Sequence, residues 1–124
     1  MVTLIKKASC SLLLLGVLFF NFGASESNAA ELTGKISFYL GQGSLGSDGK
    51  VLTKNDVAVS YANRNLPKGT PILTTNTAKN IKRTLYKWDY GGFGNDVILD
   101  VQKAMYTEMG GVISAGYFPG HIKY

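Results

Sequence analysis

The chain has 124 residues, 17% of them charged and 45% hydrophobic, with 13 Lys and Arg against 8 Asp and Glu, a formal net charge of +5. A single cysteine, Cys10, excludes an internal disulfide framework and a thiolate metal cluster. Basic charge favours anionic partners, but the densest basic run, Lys79-Asn80-Ile81-Lys82-Arg83, reads as a solvated hairpin, so nucleic-acid binding is not expected.

Lys6 and Lys7 precede the apolar run Ser11 to Phe20, and Ser27-Asn28-Ala29 supplies small residues at the positions a signal peptidase reads. This is the layout of a secretory signal peptide over residues 1–29. The apolar run is shorter than the roughly 18–20 residues of a spanning helix, so no membrane association is expected after cleavage. Cys10 lies before the apolar run, where it cannot serve as a lipid-anchoring cysteine. Cleavage after Ala29 or Ala30 leaves about 94 residues, enough for one small core and not for two. The expected organisation is therefore one domain, residues 30–124, exported and held together by packing alone.

Leu32 to Leu40 alternates, with Lys35, Ser37 and Tyr39 on one face and Ile36, Phe38 and Leu40 on the other, the period of a half-buried strand. Gly41 to Lys50 is Gly- and Ser-rich and is expected to be a mobile loop with a tight turn at Ser47-Asp48-Gly49. Val57 to Ser60 predicts a buried strand, Asn63 to Thr70 a turn, and Pro71 to Thr75 the next strand. Ile81 to Trp88 alternates again, with Ile81, Arg83, Leu85 and Lys87 sharing one face. The apolar run Val97-Ile98-Leu99 predicts another strand. Asp100 then reads as the cap of a helix running towards Met109 and ended by Gly110-Gly111. Pro119-Gly120 predicts a bend before a last strand, Gly120 to Tyr124. About six short strands and one helix suggest a small closed β structure, because closure removes exposed edges.

The unusual chemistry is concentrated between Trp88 and Asp100. Asp89 sits between Trp88 and Tyr90, and Gly91, Gly92 and Gly94 follow. An acid at a strand end beside a glycine loop is a candidate for proton transfer; the alternative is a turn residue. Tyr39, Trp88, Tyr90 and Phe93 are candidates to line a groove and stack on sugar rings, with Phe38 assigned to the core. His121, the sole histidine, is expected at the surface. No metal-ligand spacing is present, and no cofactor is expected.

Phe38-Tyr39, Val57-Ala58-Val59-Ser60, Arg64-Asn65-Leu66-Pro67-Lys68-Gly69-Thr70, Asp89 before its glycines, and Val97-Ile98-Leu99-Asp100-Val101 occur in an order that resembles the rare-lipoprotein-A-like proteins, relatives of expansins, barwin-type proteins and family 45 glycoside hydrolases. The resemblance spans roughly Leu32 to Tyr124 and implies a mostly β, six-stranded double-psi β-barrel with one short helix and a groove across one face. It implies a secreted, wall-associated protein, expected to be a monomer, that binds or remodels peptidoglycan. The associated activity is lytic transglycosylation, in which an acid protonates the leaving oxygen. Asp89 matches the family's acid and takes the catalytic role; Asp100 matches a second acid and takes a supporting one, with Ser60 and Asn63. Three positions depart from the pattern: Lys50 replaces an acid, Asn63 replaces a histidine, and Ser60 replaces the Asp of a related branch. Asp48 lies close enough in sequence to stand in for the missing acid. These departures leave two readings: a weak transglycosylase or glycoside hydrolase using Asp89, or a non-catalytic, expansin-like wall-binding or wall-loosening module. A secreted inhibitor or toxin-like partner of another protein is a third, because small barrels host many functions.

Overall fold

A computed structural model describes residues 30–94 and 96–124; the leader expected at 1–29 lies outside the described residues. Six strands, β1 (Glu31–Tyr39), β2 (Asp56–Ser60), β3 (Pro71–Asn76), β4 (Ile81–Gly91), β5 (Val97–Gln102) and β6 (Tyr117–Lys123), close into a barrel in the order β1-β5-β2-β4-β3-β6. β1–β5 and β2–β4 run parallel, and the remaining pairs are antiparallel. Each parallel pair joins strands that are not consecutive in the chain, so the connections cross over the barrel, in keeping with a double-psi arrangement. The mostly β, closed six-stranded architecture expected from the sequence is therefore the one observed.

Alternation along each strand sends Ile36, Val57, Val59, Ile72, Leu85, Leu99, Val101, Phe118 and Ile122 into one core. Tyr106 is fully buried between Phe38 and Phe118, with ring centroids 4.5 and 5.3 Å away, and its hydroxyl donates to Val112 O at 2.9 Å. Gly120 lets β6 approach the core: a Cβ there would come within 2.2 Å of Ile36 Cδ1. The expected bend at Pro119-Gly120 is absent, and both residues lie inside β6, opposite Lys35 and Gly34.

The helix also differs from expectation. It spans only Lys103–Glu108 (α1), and Gln102 precedes it in extended conformation without a side-chain cap. Asp100 therefore does not cap it. Pairing of β5 with β1 continues through Tyr39 and Gln102, so the barrel ladder overrides the local capping signal. Gly110, at φ +87°, terminates the helical segment as expected. Leu40, assigned by alternation to the core face, is 80% exposed because β1 ends one residue earlier.

The Gly41 to Lys50 segment is pinned, not a free loop. Gly43 N donates to Leu52 O and Leu52 N to Ser44 O, both at 2.8 Å, and Leu45 pairs with Val51. The turn expected at Ser47-Asp48-Gly49 is present, closed by Gly49 N donating to Gly46 O at 3.0 Å. This hairpin carries Asp48 to Lys87 of β4. Lys87 Nζ donates to Arg64 O at 2.7 Å and to Leu66 O at 2.9 Å. It also lies 2.8 Å from Asp48 Oδ2, an ion contact outside hydrogen-bonding geometry. The two side chains are 1% and 8% exposed.

Removing one partner of a buried pair leaves the other charge uncompensated. Lys87→Met is expected to lower stability by about 3–5 kcal/mol, and adding Asp48→Leu to restore much of it. Urea denaturation of the two variants beside the parent chain measures both effects.

Candidate functional site

A β-bulge on β4 builds the site. Val57 pairs with Lys87, but the next residue, Ala58, pairs with Asp89, leaving Trp88 without a partner on β2. A bulge re-aims the side chains that follow it. Lys87 is thus buried, while Asp89 joins the side of the sheet that faces away from Val57 and Val59. Ala58 also pairs with Asp100 of β5, and Asp100 with Ser37 of β1. Ser37, Asp100, Ala58 and Asp89 therefore form one row across four neighbouring strands. The two acids flank a small side chain, two strand spacings or roughly 9–10 Å apart at the backbone.

The two carboxyls have opposite surroundings. Asp89 Oδ1 accepts from Ser47 N at 2.9 Å and Tyr90 N at 3.0 Å, and Oδ2 accepts from Tyr39 Oη at 2.8 Å. Burial alone would raise its pKa, but the donors of Ser47, Tyr39 and Tyr90 outweigh it and hold the carboxyl below the ordinary Asp value. Asp100 has one side-chain donor, Ser37 Oγ, at 2.9 Å. Burial pushes its pKa up to about 6 against that hydrogen bond, and the neighbouring Asp89 charge adds to the rise. Tyr39 is pushed well above the ordinary phenol range by burial, by its bond to Asp89 and by that residue's charge, so it stays a neutral donor.

The other sequence candidates divide. Trp88 is half-buried over Gly69, whose φ of +79° and missing Cβ let the ring approach, and Lys50 Nζ lies 5.7 Å from the indole. Tyr90 packs against the core and meets the edge of Tyr61 at 5.8 Å. Phe93 is half-buried beside Gly91. Ser60 and Asn63 bond each other at 3.3 Å, Asn63 Nδ2 donating, and Ser60 pairs with Gly91, two residues beyond Asp89. Asp48 does not replace the missing acid, because Lys87 holds it in the barrel wall. Lys50 is engaged with the buried Asp56. His121 Nε2 lies 2.9 Å from Glu31 Oε1, and its backbone pairs with Thr33. Thr33 precedes Ser37 by four residues of strand, roughly 13 Å.

Several contributors escaped the sequence reading. Ser37 shares its strand face with Tyr39, so alternation could have found it. Gln102 is fully buried, bonding Asp56 O and Gly41 N at 3.0 Å each, and Ser47 contributes its backbone; neither carries a sequence signal. Among the described residues no group of three or more His, Cys, Asp or Glu gathers to hold a metal ion.

Carboxyl NMR titration is expected to give a midpoint near 6 for Asp100 and one below the usual Asp value for Asp89. The linkage has a definite sign. A carboxyl whose pKa is higher in the folded state weakens the fold as pH rises from about 4 through about 6. Asp100→Asn is therefore expected to stabilise the protein by on the order of 1 kcal/mol at pH 7.5, after allowance for partial solvent screening, and by nothing below pH ~4. Denaturation at the two pH values tests this.

No protein-family model matches the chain. The Streptomyces papain inhibitor (SPI) superposes on it with a TM-score of 0.60 at 16% identity, covering 76% of this chain and 92% of that one. At that identity the likeness establishes the fold alone, a small β-barrel. The uncharacterized protein YdjM of Bacillus subtilis (strain 168) is 35% identical over 106 residues, which cover 85% of each chain. Identity at this level across most of both proteins shows that the chain belongs to the family of YdjM.

Proposed function

We propose that the protein is an exported, monomeric double-psi barrel of the rare-lipoprotein-A-like kind that binds peptidoglycan glycan strands and cleaves them weakly as a lytic transglycosylase. The observation that carries this reading is the split pair: Asp100 with its pKa raised to about 6 and Asp89 held charged, on one row of the barrel. Divergent pKa values in neighbouring acids support an acid–base division of labour. In this reading the roles expected from the sequence are exchanged. Asp100 supplies the proton to the leaving glycosidic oxygen as that bond breaks; the sugar's own hydroxyl then bonds to the freed anomeric carbon and returns its proton to the Asp100 carboxylate, which closes the anhydro ring without water. Asp89, already accepting three hydrogen bonds, keeps its charge and stabilises positive charge developing on the sugar. Trp88 and Phe93, half-buried near Asp89 in sequence, offer ring faces for stacking.

The test is incubation with purified sacculi and mass spectrometry of the soluble products. Anhydro-ended fragments are expected. Asp100→Asn is expected to lower their release ~10²-fold or more, and Asp89→Asn to lower it as well. Release should fall as pH rises through about 6, where Asp100 loses its proton, and fall again in strong acid, where Asp89 gains one. Co-sedimentation with sacculi without any product would leave the non-catalytic, expansin-like module. No sedimentation and no product would end both.

A second reading, a secreted inhibitor of another protein, draws on Leu45 and Val51, which are 71% and 58% exposed at one pairing of the pinned hairpin. Exposed apolar side chains on a rigid hairpin suit insertion into a partner's cleft. Inhibition of papain that is lost in Leu45→Asp would favour it.

A further inference from the structure

The barrel wall holds a nucleophile and a carboxyl that the acid site does not use. Every other described ion contact leaves at least one side chain a third or more exposed, whereas Lys87 and Asp48 are 1% and 8% exposed. Asp56 is also buried, but its Oδ2 accepts from Thr53 N and Thr53 Oγ1, and Lys50 reaches it from the surface. Asp48 Oδ2 accepts no hydrogen bond; among the described residues it is the one buried side-chain polar atom left without one.

Lys87 Nζ faces that oxygen at 2.8 Å. Of the four tetrahedral positions on the nitrogen, the side chain's own carbon takes one, and the bonds to Arg64 O and Leu66 O take two more. The fourth is an N–H in the ammonium and the lone pair in the amine. Adding one C–O bond to 2.8 Å puts Asp48 Cγ no more than about 4 Å from the nitrogen, against the ~3–3.5 Å of a near-attack arrangement. Both backbones are held. Lys87 N donates to Thr70 O at 3.0 Å, and Lys87 O accepts from Gly69 N at 2.7 Å. Asp48 N donates to the O of Trp88, the next residue of β4, at 3.2 Å. Groups fixed in this way react as if highly concentrated, and exclusion of water disfavours hydrolysis of what they form.

We propose that Lys87 and Asp48 join after folding in an intramolecular amide, Nζ to Cγ, which ties the first hairpin to β4. The ammonium passes one proton to Asp48 Oδ2, and the freed lone pair attacks Cγ. The Nζ–Cγ bond forms, a second proton moves from nitrogen to Oδ2, and the Cγ–Oδ2 bond breaks to release water. Of the three ammonium protons, two leave in that water and one stays on the amide. The positive and negative charges cancel, no redox change occurs and no co-reactant is needed. The product removes both the buried charge pair and the unbonded oxygen. The described residues contain no cysteine, so no disulfide can tie these segments. Folding must assemble the pair first, so newly folded chain carries the ion contact alone, the form to which the urea comparison above refers. The proposal is independent of the glycan reading.

Intact mass spectrometry of the purified chain in denaturant, followed by tryptic mapping, tests it. The linked chain is expected to be one water lighter than its residues sum to. Trypsin does not cut after an acylated lysine, so a branched peptide joining residues 36–50 to residues 84–103 is expected. The branched peptide should accumulate when the native chain is stored and not when it is stored in strong urea. Asp48→Ala and Lys87→Arg are each expected to have full mass and no branch. Asp48-Gly49 can also lose a water alone, by closing a succinimide; that product confines the loss to residues 36–50, keeps cleavage after Lys87 and persists in Lys87→Arg. A parent chain of full mass, or a water loss of this second kind, would overturn the proposal whether or not the variants fold.

Discussion

The structure depends on the docking of the first hairpin against β4. Three successive residues of each segment meet there. Gly46 lies so close to Trp88 O that a Cβ would be 2.5 Å away. Ser47 N–H donates to the Asp89 carboxylate. Asp48 meets Lys87 inside the barrel wall. One contact is steric, one is a charge-assisted hydrogen bond and one is a buried ion pair. Together they fix the hairpin, the start of the glycine loop and the acid between them. Burial of an ion pair is not an efficient source of stability, since desolvation offsets most of the attraction. What the Lys87 ammonium does well is hold a particular arrangement: it ties Arg64 O and Leu66 O, from the connection between β2 and β3, to the hairpin that carries Asp48. Two separate stretches of chain thus converge on one nitrogen of β4 beside the site.

The same docking creates the asymmetry of the acids. Without the hairpin, Asp89 would lose the Ser47 donor and stand in an environment closer to that of Asp100. With it, one carboxyl is held charged and the other is left with a single hydroxyl donor and the field of its neighbour. Burial raises both, more for the deeper Asp100, and the larger set of donors on Asp89 turns its shift downward. Two identical side chains thus acquire opposite shifts in proton affinity from where the fold places them. A bulge of one residue at Trp88 is needed to bring this about, because strict alternation would have put Asp89 on the same face as Lys87.

Tyr39 links this pair to a cleft of about 380 Å³ beside α1. Its ring is wall to the cleft and its hydroxyl is donor to Asp89. One side chain, kept neutral, therefore touches both the cleft and the acid pair.

Local pattern determined the strands, because burial is written into nearest neighbours: Ile36 and Leu85 face the core from alternating stretches, and Val57, Val59 and Leu99 from short apolar runs. The turn at Ser47-Asp48-Gly49 was legible for the same reason, as was the end of the helix at Gly110. Partners far apart in the chain were not. The pairing of β5 with β1 turned Asp100 from an expected helix cap into a strand residue bonded to Ser37, and the pairing of β6 with β1 drew Pro119-Gly120 into a strand. The acid row, the hold of Lys87 on Asp48 and the opposed environments of Asp89 and Asp100 exist only once the barrel closes. They arise from contacts between residues dozens of positions apart, which no local propensity encodes.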